Sequence, residues 1–304
     1  METFLQQLVN GLTLGSVYAL IALGYTMVYG IIQLINFAHG EVFSAGGYIG
    51  VITLSFLQSQ GYLDKYPMLG LFMAFFLAMA YCAFLAIALE RVAYKPLRNA
   101  PRLSALLSAL GMSIFLSNGM MLCQGVYDKP YPIQQYSTGQ FTVGGAVVSY
   151  LQVYIILGAI VLMVALNLFV NRTRLGKAMR STAQDKVMSA LLGINADRTI
   201  AITFVIGAVL AAAAGVMVGL YYGSVRFDMG FIPGIKAFAA AVLGGIGNLT
   251  GAMLGGMIIG LVEVFAAGYL ASDYKDVFAF IILIGVLYFR PTGIMGEQVD
   301  DTRV

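Results

Sequence analysis

AITFVIGAVLAAAAGVMVGL, residues 201–220, runs for twenty residues without a charge. About 20 apolar residues are what an α-helix needs to cross the hydrocarbon core of a bilayer. A transmembrane β-strand would instead alternate apolar and polar residues over a shorter run. The stretch therefore dictates a helix, which satisfies its own backbone hydrogen bonds in lipid. Similar runs lie on either side of it. The expected spans are 11–32, 39–59, 67–90, 103–123, 147–170, 199–222, 250–269 and 276–290. One further run, 236–247, is too short to cross as an ordinary helix, and the glycine-rich GNLTG, Gly247–Gly251, bends or breaks it.

The chain as a whole agrees with this reading. Of its 304 residues, 60% are hydrophobic and only 10% are charged, with a mean hydropathy of +0.87. A soluble domain carries about 25% charged residues. The fold class is all-α: a polytopic integral membrane protein of about eight transmembrane helices plus one short broken or re-entrant helix, in a single domain over 1–304. Thirty-six glycines fit close helix packing in lipid. A net charge of +3 gives no footing for nucleic acid. Cys82 and Cys123 fall inside apolar runs and read as packing residues. The first basic residue is Lys65, so the amino-terminal run lacks the charged flank of a cleaved signal and is expected to remain as a span.

Charge gives the orientation. The linker 91–102 carries Arg91, Lys95, Arg98 and Arg102, and the linker 171–198 carries Arg172, Arg174, Lys177, Arg180, Lys186 and Arg198. Together they hold ten of the seventeen Lys and Arg residues, which makes both cytoplasmic. The linker 124–146 has Lys129 balanced by Asp128 and reads as external, with a short hairpin around QFTVGGAVV. The amino terminus is then outside. The tail GEQVDDTRV, 296–304, is inside if the short run 236–247 traverses the membrane.

Within the second basic linker, STAQDKVMSALLGIN (181–195) places Ala183, Val187, Ala190, Leu191 and Ile194 at helical spacing. This predicts one amphipathic helix stopped by Gly193 and Asn195. Its residues alone leave two readings open: a helix lying on the anionic inner leaflet, or a docking helix for a cytoplasmic partner. The neighbouring LGKAMR is not a phosphate-binding loop. Asn171 stands where the first glycine is needed, and Ala178 where a hydroxyl is needed.

Ionisable groups within spans are costly and mark function or pairing. Here they are His39 and Glu41 in INFAHGE (35–41), Glu263, and Lys236 at the start of the short run. Asn36 reads as a helix cap, with Glu41 favoured by the positive end of the helix that follows. The other reading is a broken helix lining a path, with LGGIGNLTGAMLGG as its counterpart in the second half. The candidates for a translocation path or gate are Asn36, His39, Glu41, Lys236, Gly245, Gly247, Asn248 and Glu263. Glu263 also reads as a structural carboxyl bonded to a neighbouring helix, Lys236 as a side chain reaching up to the outer interface, and Glu90 with Arg91 as a surface pair. One histidine without clustered carboxylates makes neither a zinc shell nor a catalytic triad, so no catalytic or metal residues are expected.

Four stretches carry a resemblance. NGLTLGSVYALIALGYTMVYGIIQLINFAHGE (10–41), ERVAYKPLR with LSALLSALGMSIFL (90–116), LGKAMRSTAQDKVMSALLGIN (175–195) and GIKAFAAAVLGGIGNLTGAMLGG (234–256) resemble the permease subunit of bacterial ABC importers for branched-chain amino acids, LivH type. The linker 124–146 and the carboxy-terminal tail carry no part of the match. The resemblance implies a non-enzymatic transport subunit of the bacterial inner membrane. Its partners would be a second related permease, two cytoplasmic ABC ATPases, a periplasmic substrate-binding protein and membrane lipid. ATP and Mg would sit on the ATPase chains, with no cofactor on this one. It also implies that the segment about 171–198 couples to the ATPases through Gly176, Arg180, Ala183, Asp185, Ala190, Leu191 and Gly193. Related permeases carry urea or short amides, which keeps those cargoes as an alternative. An ATP-independent carrier or channel is the rival from another class, and it would be expected to carry more acidic or basic groups in its spans.

Overall fold

The computed structural model describes residues 2–296, apart from 99, 135, 137, 138 and 271. The expected placement of the tail therefore lies, for 297–304, outside the described residues. In chain order the helices are α1 (Glu2–Ile32), α2 (His39–Ser59), the single turn α3 (Tyr62–Lys65), α4 (Pro67–Leu89), α5 (Arg102–Gln124), α6 (Tyr150–Arg172), α7 (Arg174–Gln184), α8 (Lys186–Leu191), α9 (Ala196–Tyr222), α10 (Phe231–Gly244), α11 (Leu249–Tyr269) and α12 (Lys275–Phe289). Seven of them, α1, α2, α4, α5, α6, α9 and α11, are long and apolar enough to cross a membrane. The eighth expected span, 276–290, is α12. Its 15 residues rise about 22 Å, short of the ~30 Å hydrocarbon core.

The most apolar surface is not the most buried. The apolar core of α1 is 89% buried and that of α5 only 11%, with α4 and α6 also largely exposed. In lipid an exposed Leu or Phe costs nothing, so hydropathy alone does not tell a central helix from a peripheral one. Small residues do. Gly256 and Gly260 of α11 lie against the backbone of Ala19 and Gly15 of α1, where an added Cβ would overlap main-chain atoms. Helices joined without side chains between them gain van der Waals contact along their whole length, which drives association in lipid.

The two basic linkers lie at one end of the bundle, where Lys95 and Arg98 both meet Asp197 at the start of α9. The amino terminus lies at the other end. There the Gln6 side chain bonds both the carbonyl and the N–H of Val147 in the hairpin β2 (Gln140–Val143)–β3 (Ala146–Ser149), reached after β1 (Lys129–Pro130). The hairpin expected at QFTVGGAVV forms, turned by Gly144 and Gly145, both at positive φ, as a two-residue turn of the primed type requires. β1 pairs antiparallel with β4 (Ser224–Val225), just past α9. From β4 the chain runs back to the basic end, first as turns over 226–230 and then as α10, whose sequel Gly247 lies against Gly30 near the end of α1. The short run is helical through Gly244, within α10, and breaks at Gly245.

The basic linker departs from the single amphipathic helix its spacing predicts. Asp185 adopts an extended backbone (φ −153°, ψ 112°) and its Oδ1 accepts from the N–H groups of Val187 and Met188, starting a new helix there. A good cap in mid-pattern outcompetes continuation, because it satisfies amide donors that would otherwise be orphaned. The stop at Gly193 is as expected. It sits at φ +83°, and Ile194 N–H bonds Ser189 carbonyl across it, a left-handed helix end. Asn195 begins α9 instead, accepting from Arg198 N–H at 3.0 Å.

Candidate functional site

The site begins where two helices start inside the bundle. After α1 ends at Ile32, residues 33–38 turn back without helix, and α2 starts at His39. The imidazole packs against Gly24 of α1, where a Cβ would collide with Nε2. Gly24 lies eight residues, about 12 Å, before the end of α1, so α2 begins inside the bundle, about two helical turns in from that end. α10 begins at the same depth: Gly230 and Gly234 press on the backbone of Gly40. From this junction α2 runs toward the hairpin end and α10 toward the basic end. Each starts at this junction, and the amino terminus of α2, the positive end of its dipole, is buried.

Asn36 does not cap α2. The residue before the helix, Ala38, makes no side-chain cap, and Asn36 Oδ1 instead accepts from Tyr94 Oη at 2.8 Å. Backbone carbonyls of Asn36 and Ala38 satisfy the first amides of the turn, which frees the side chain to tie the re-entrant stretch to the linker after α4. His39 and Glu41, two residues apart, point to different places. His39 is wedged among Gly24, Gly207 and Tyr25, whose ring it meets at 4.7 Å. Glu41 lines a cavity of about 50 Å³ at the junction of α2 and α10, walled also by Tyr25, Phe37, Ser113, Phe231 and Phe238. Ser113 Oγ donates to Glu41 Oε1 at 3.3 Å, while Oε2 is buried with no hydrogen-bond partner. A second cavity of about 10 Å³ lies toward the basic end, lined by Tyr29, Ile35 and Ile246. Tyr25 and Phe238 belong to both walls, ring centroids 5.9 Å apart, and close one cavity from the other.

Lys236 and Glu263 do not line either cavity. They form a buried pair on the far side of α10, Nζ to Oε1 2.8 Å. Lys236 also reaches Asp276 at 2.5 Å, and Tyr18 Oη donates to Glu263 Oε2 at 2.8 Å. So Lys236 does not rise to the interface, because an acid from a neighbouring helix lies within reach and pairing costs less than an extended path to water. Gly245, Gly247 and Asn248 form the turn between α10 and α11. Asn248 caps α11 through Gly251 N–H at 3.0 Å and donates to Met295 carbonyl. Glu90 pairs with Arg98, not Arg91. It is buried within a π-helical turn, Glu90–Tyr94, that rolls Arg91 outward. Arg98 thereby bridges Glu90 to Asp197.

In the coupling segment, Gly176 rests on the carbonyls of Phe169 and Val170, so α7 can fold back directly on α6. Arg180 donates to Asn171 at 2.6 Å. Ala183 is half-buried and Ala190 exposed, while Val187, Met188, Leu191 and Leu192 turn their side chains outward. Cys82 is buried, its thiol against Val42 carbonyl, and Cys123 is exposed; both are free. Sequence reading missed Tyr25, Phe37, Ser113 and Phe238. Within apolar runs they look like any other packing residue, and only the α2–α10 junction distinguishes them.

The sequence profile of the family described as branched-chain amino acid transport system / permease component matches residues 7–287. The chain is similar to the high-affinity branched-chain amino acid transport system permease protein BraD of Pseudomonas aeruginosa, at 52% identity over 97% of this chain and 96% of that protein. It is 48% identical to the LivH protein of the same description from Escherichia coli, over 97% of this chain and 96% of that one. A probable branched-chain amino acid transport permease protein LivH of Methanocaldococcus jannaschii is 26% identical over 91% and 88%. No solved structure matches.

Proposed function

The chain belongs to the family of permease components of branched-chain amino acid transport systems, and on that premise we propose that it carries leucine, isoleucine and valine inward across the bacterial inner membrane as one subunit of an ATP-driven importer. The observation that carries the reading is similarity along nearly the whole chain to permeases of that cargo. The remaining subunits are a second related permease, two cytoplasmic ATPases that bind ATP and Mg, and a periplasmic protein that delivers substrate.

Three features support this arrangement. The weakly buried faces of α4, α5 and α6 are open to lipid and to a second permease. α8 presents Val187, Met188, Leu191 and Leu192 outward on a helix fixed at both ends, an apolar ridge suited to a groove on an ATPase. Arg98 then links that end to the bundle: Asp197 starts the helix after α8, and Glu90 opens the turn whose Tyr94 holds Asn36. Motion of α8 is transmitted along these contacts to the re-entrant stretch, and the Tyr25–Phe238 contact is the gate it moves. In this arrangement access alternates between the two sides, with the gate closed in the present structure.

Affinity purification of the tagged chain in detergent from its native membrane tests the assembly; two ATPases and a second permease are expected in the eluate. Uptake of leucine, valine, urea and acetamide by the reconstituted complex tests the cargo. Urea uptake without leucine uptake would replace the amino acid reading with the amide one. Leucine uptake by the chain alone without ATP would replace the importer with a carrier.

A further inference from the structure

Among the described residues three glutamates are buried: Glu41, Glu90 and Glu263. Glu90 is paired with Arg98 and Glu263 with Lys236. Glu41 has no cation, and one of its oxygens has no partner of any kind. A buried carboxylate is expensive unless paired and hydrogen-bonded, so the other two sites obey a rule that this one breaks. The exception faces the larger cavity. Its nearest hydrogen-bonding neighbour, Ser113, satisfies only Oε1. Around it the wall is apolar, with Leu110, Ile235 and the rings of Phe37, Phe231 and Phe238.

This pairing of one acid with a hydrocarbon wall matches an α-amino acid with an aliphatic side chain. Resting on the permease reading above, we propose that Glu41 holds the ammonium group of the transported amino acid, in a transient binding site that opens between α2 and α10. The cavity, at about 50 Å³, has room for only a few waters, so the site forms when the two helix ends part. At the junction Gly40 meets Gly230 and Gly234 backbone to backbone, with the Ser44 and Tyr25 hydroxyls beside the contact. The carboxyl that is unpaired in the closed form finds a counter-ion only in the cargo. That gives preference for amines without the tight binding that would stall passage.

The test uses the whole complex in proteoliposomes. Glu41→Gln keeps size and the Ser113 bond but removes the charge. Leucine uptake is expected to fall about tenfold or more, the weight of one charge-assisted hydrogen bond, read against the yield of assembled complex. Undiminished uptake by the assembled variant overturns the proposal. A second measurement on the unmutated complex covers failure of the variant to assemble. A hydrophobic carbodiimide should label Glu41, read by peptide mass. Millimolar leucine is expected to protect it, and 4-methylpentanoate, which has the same side chain without the amine, is not. Equal protection by both, or by neither, overturns the proposal. Wild-type complex that takes up no leucine would instead defeat the permease reading itself, and this inference with it.

Discussion

Replacing Lys236 with Met removes the cation shared by Glu263 and Asp276. Its side chain is 3% exposed, and Glu263, 4% exposed, would keep only the Tyr18 hydroxyl on one oxygen. Asp276 is 36% exposed and can turn to water. The cost therefore falls on Glu263. Breaking a buried pair by removing one partner costs about 3–5 kcal/mol, because the remaining charge stays buried and uncompensated. Lys275, 3.9 Å from Glu263 and largely exposed, recovers a small part of that. The double variant Lys236→Met/Glu263→Gln leaves no buried charge at this place, so it should regain most of the loss and lie within about 1–2 kcal/mol of the parent. The double-mutant cycle is read by unfolding in mixed micelles of rising denaturing-detergent fraction, with Asp276→Asn as a control expected to cost less than either buried single change. A Lys236→Met protein within about 1 kcal/mol of the parent, or a double variant no better than the single one, would show that the pair is not what fixes α10 to α11, and the reasoning fails.

Three further outcomes follow from packing and capping. Gly260→Leu would drive side-chain atoms into the backbone of Gly15; α1 and α11 must separate, and a loss of about 1–3 kcal/mol or more is expected in the same unfolding assay. Asp185→Ala removes the cap of α8, about 1 kcal/mol of local stability; ATPase co-purification should weaken while the permease keeps its melting temperature. Tyr136 anchors the loop between α5 and α6 by donating to Pro67 carbonyl at 2.8 Å, and burial pushes its phenol up from 10.0 to about 12. The folded value is raised, so this contribution is complete below pH 10 and is lost as the pH climbs through about 12. Protease nicking of 124–149 should rise across that window and should already be raised at neutral pH in Tyr136→Phe.

Much of this fold is legible in the sequence. The runs that become α1, α2, α4, α5, α6, α9 and α11 announce themselves by length, because lipid demands about 20 apolar residues of any span. The hairpin was marked by Gly144–Gly145, and the stop of α8 by Gly193, since both need backbone angles that glycine alone adopts freely. Among the local readings that fail, two share a reason. Asn36 looked like a cap and residues 183–194 like one helix, yet both outcomes turned on competing partners: Tyr94, 58 residues away, for Asn36, and a pair of nearby amides for Asp185.

The sequence by itself determined that the chain is a multi-pass bundle, which family it resembles, and which few groups inside the membrane carry charge. Composition and period are local quantities, and lipid reads them locally. Only the tertiary structure decided what those charges meet. Lys236 is 27 residues from Glu263, and Glu41 is 72 from Ser113, so no spacing along the chain predicts either contact. In hydrocarbon an unpaired polar group has no water to fall back on. Its meaning is therefore set by the neighbour that folding brings to it: a partner for Glu90 and Glu263, and an open place beside Glu41.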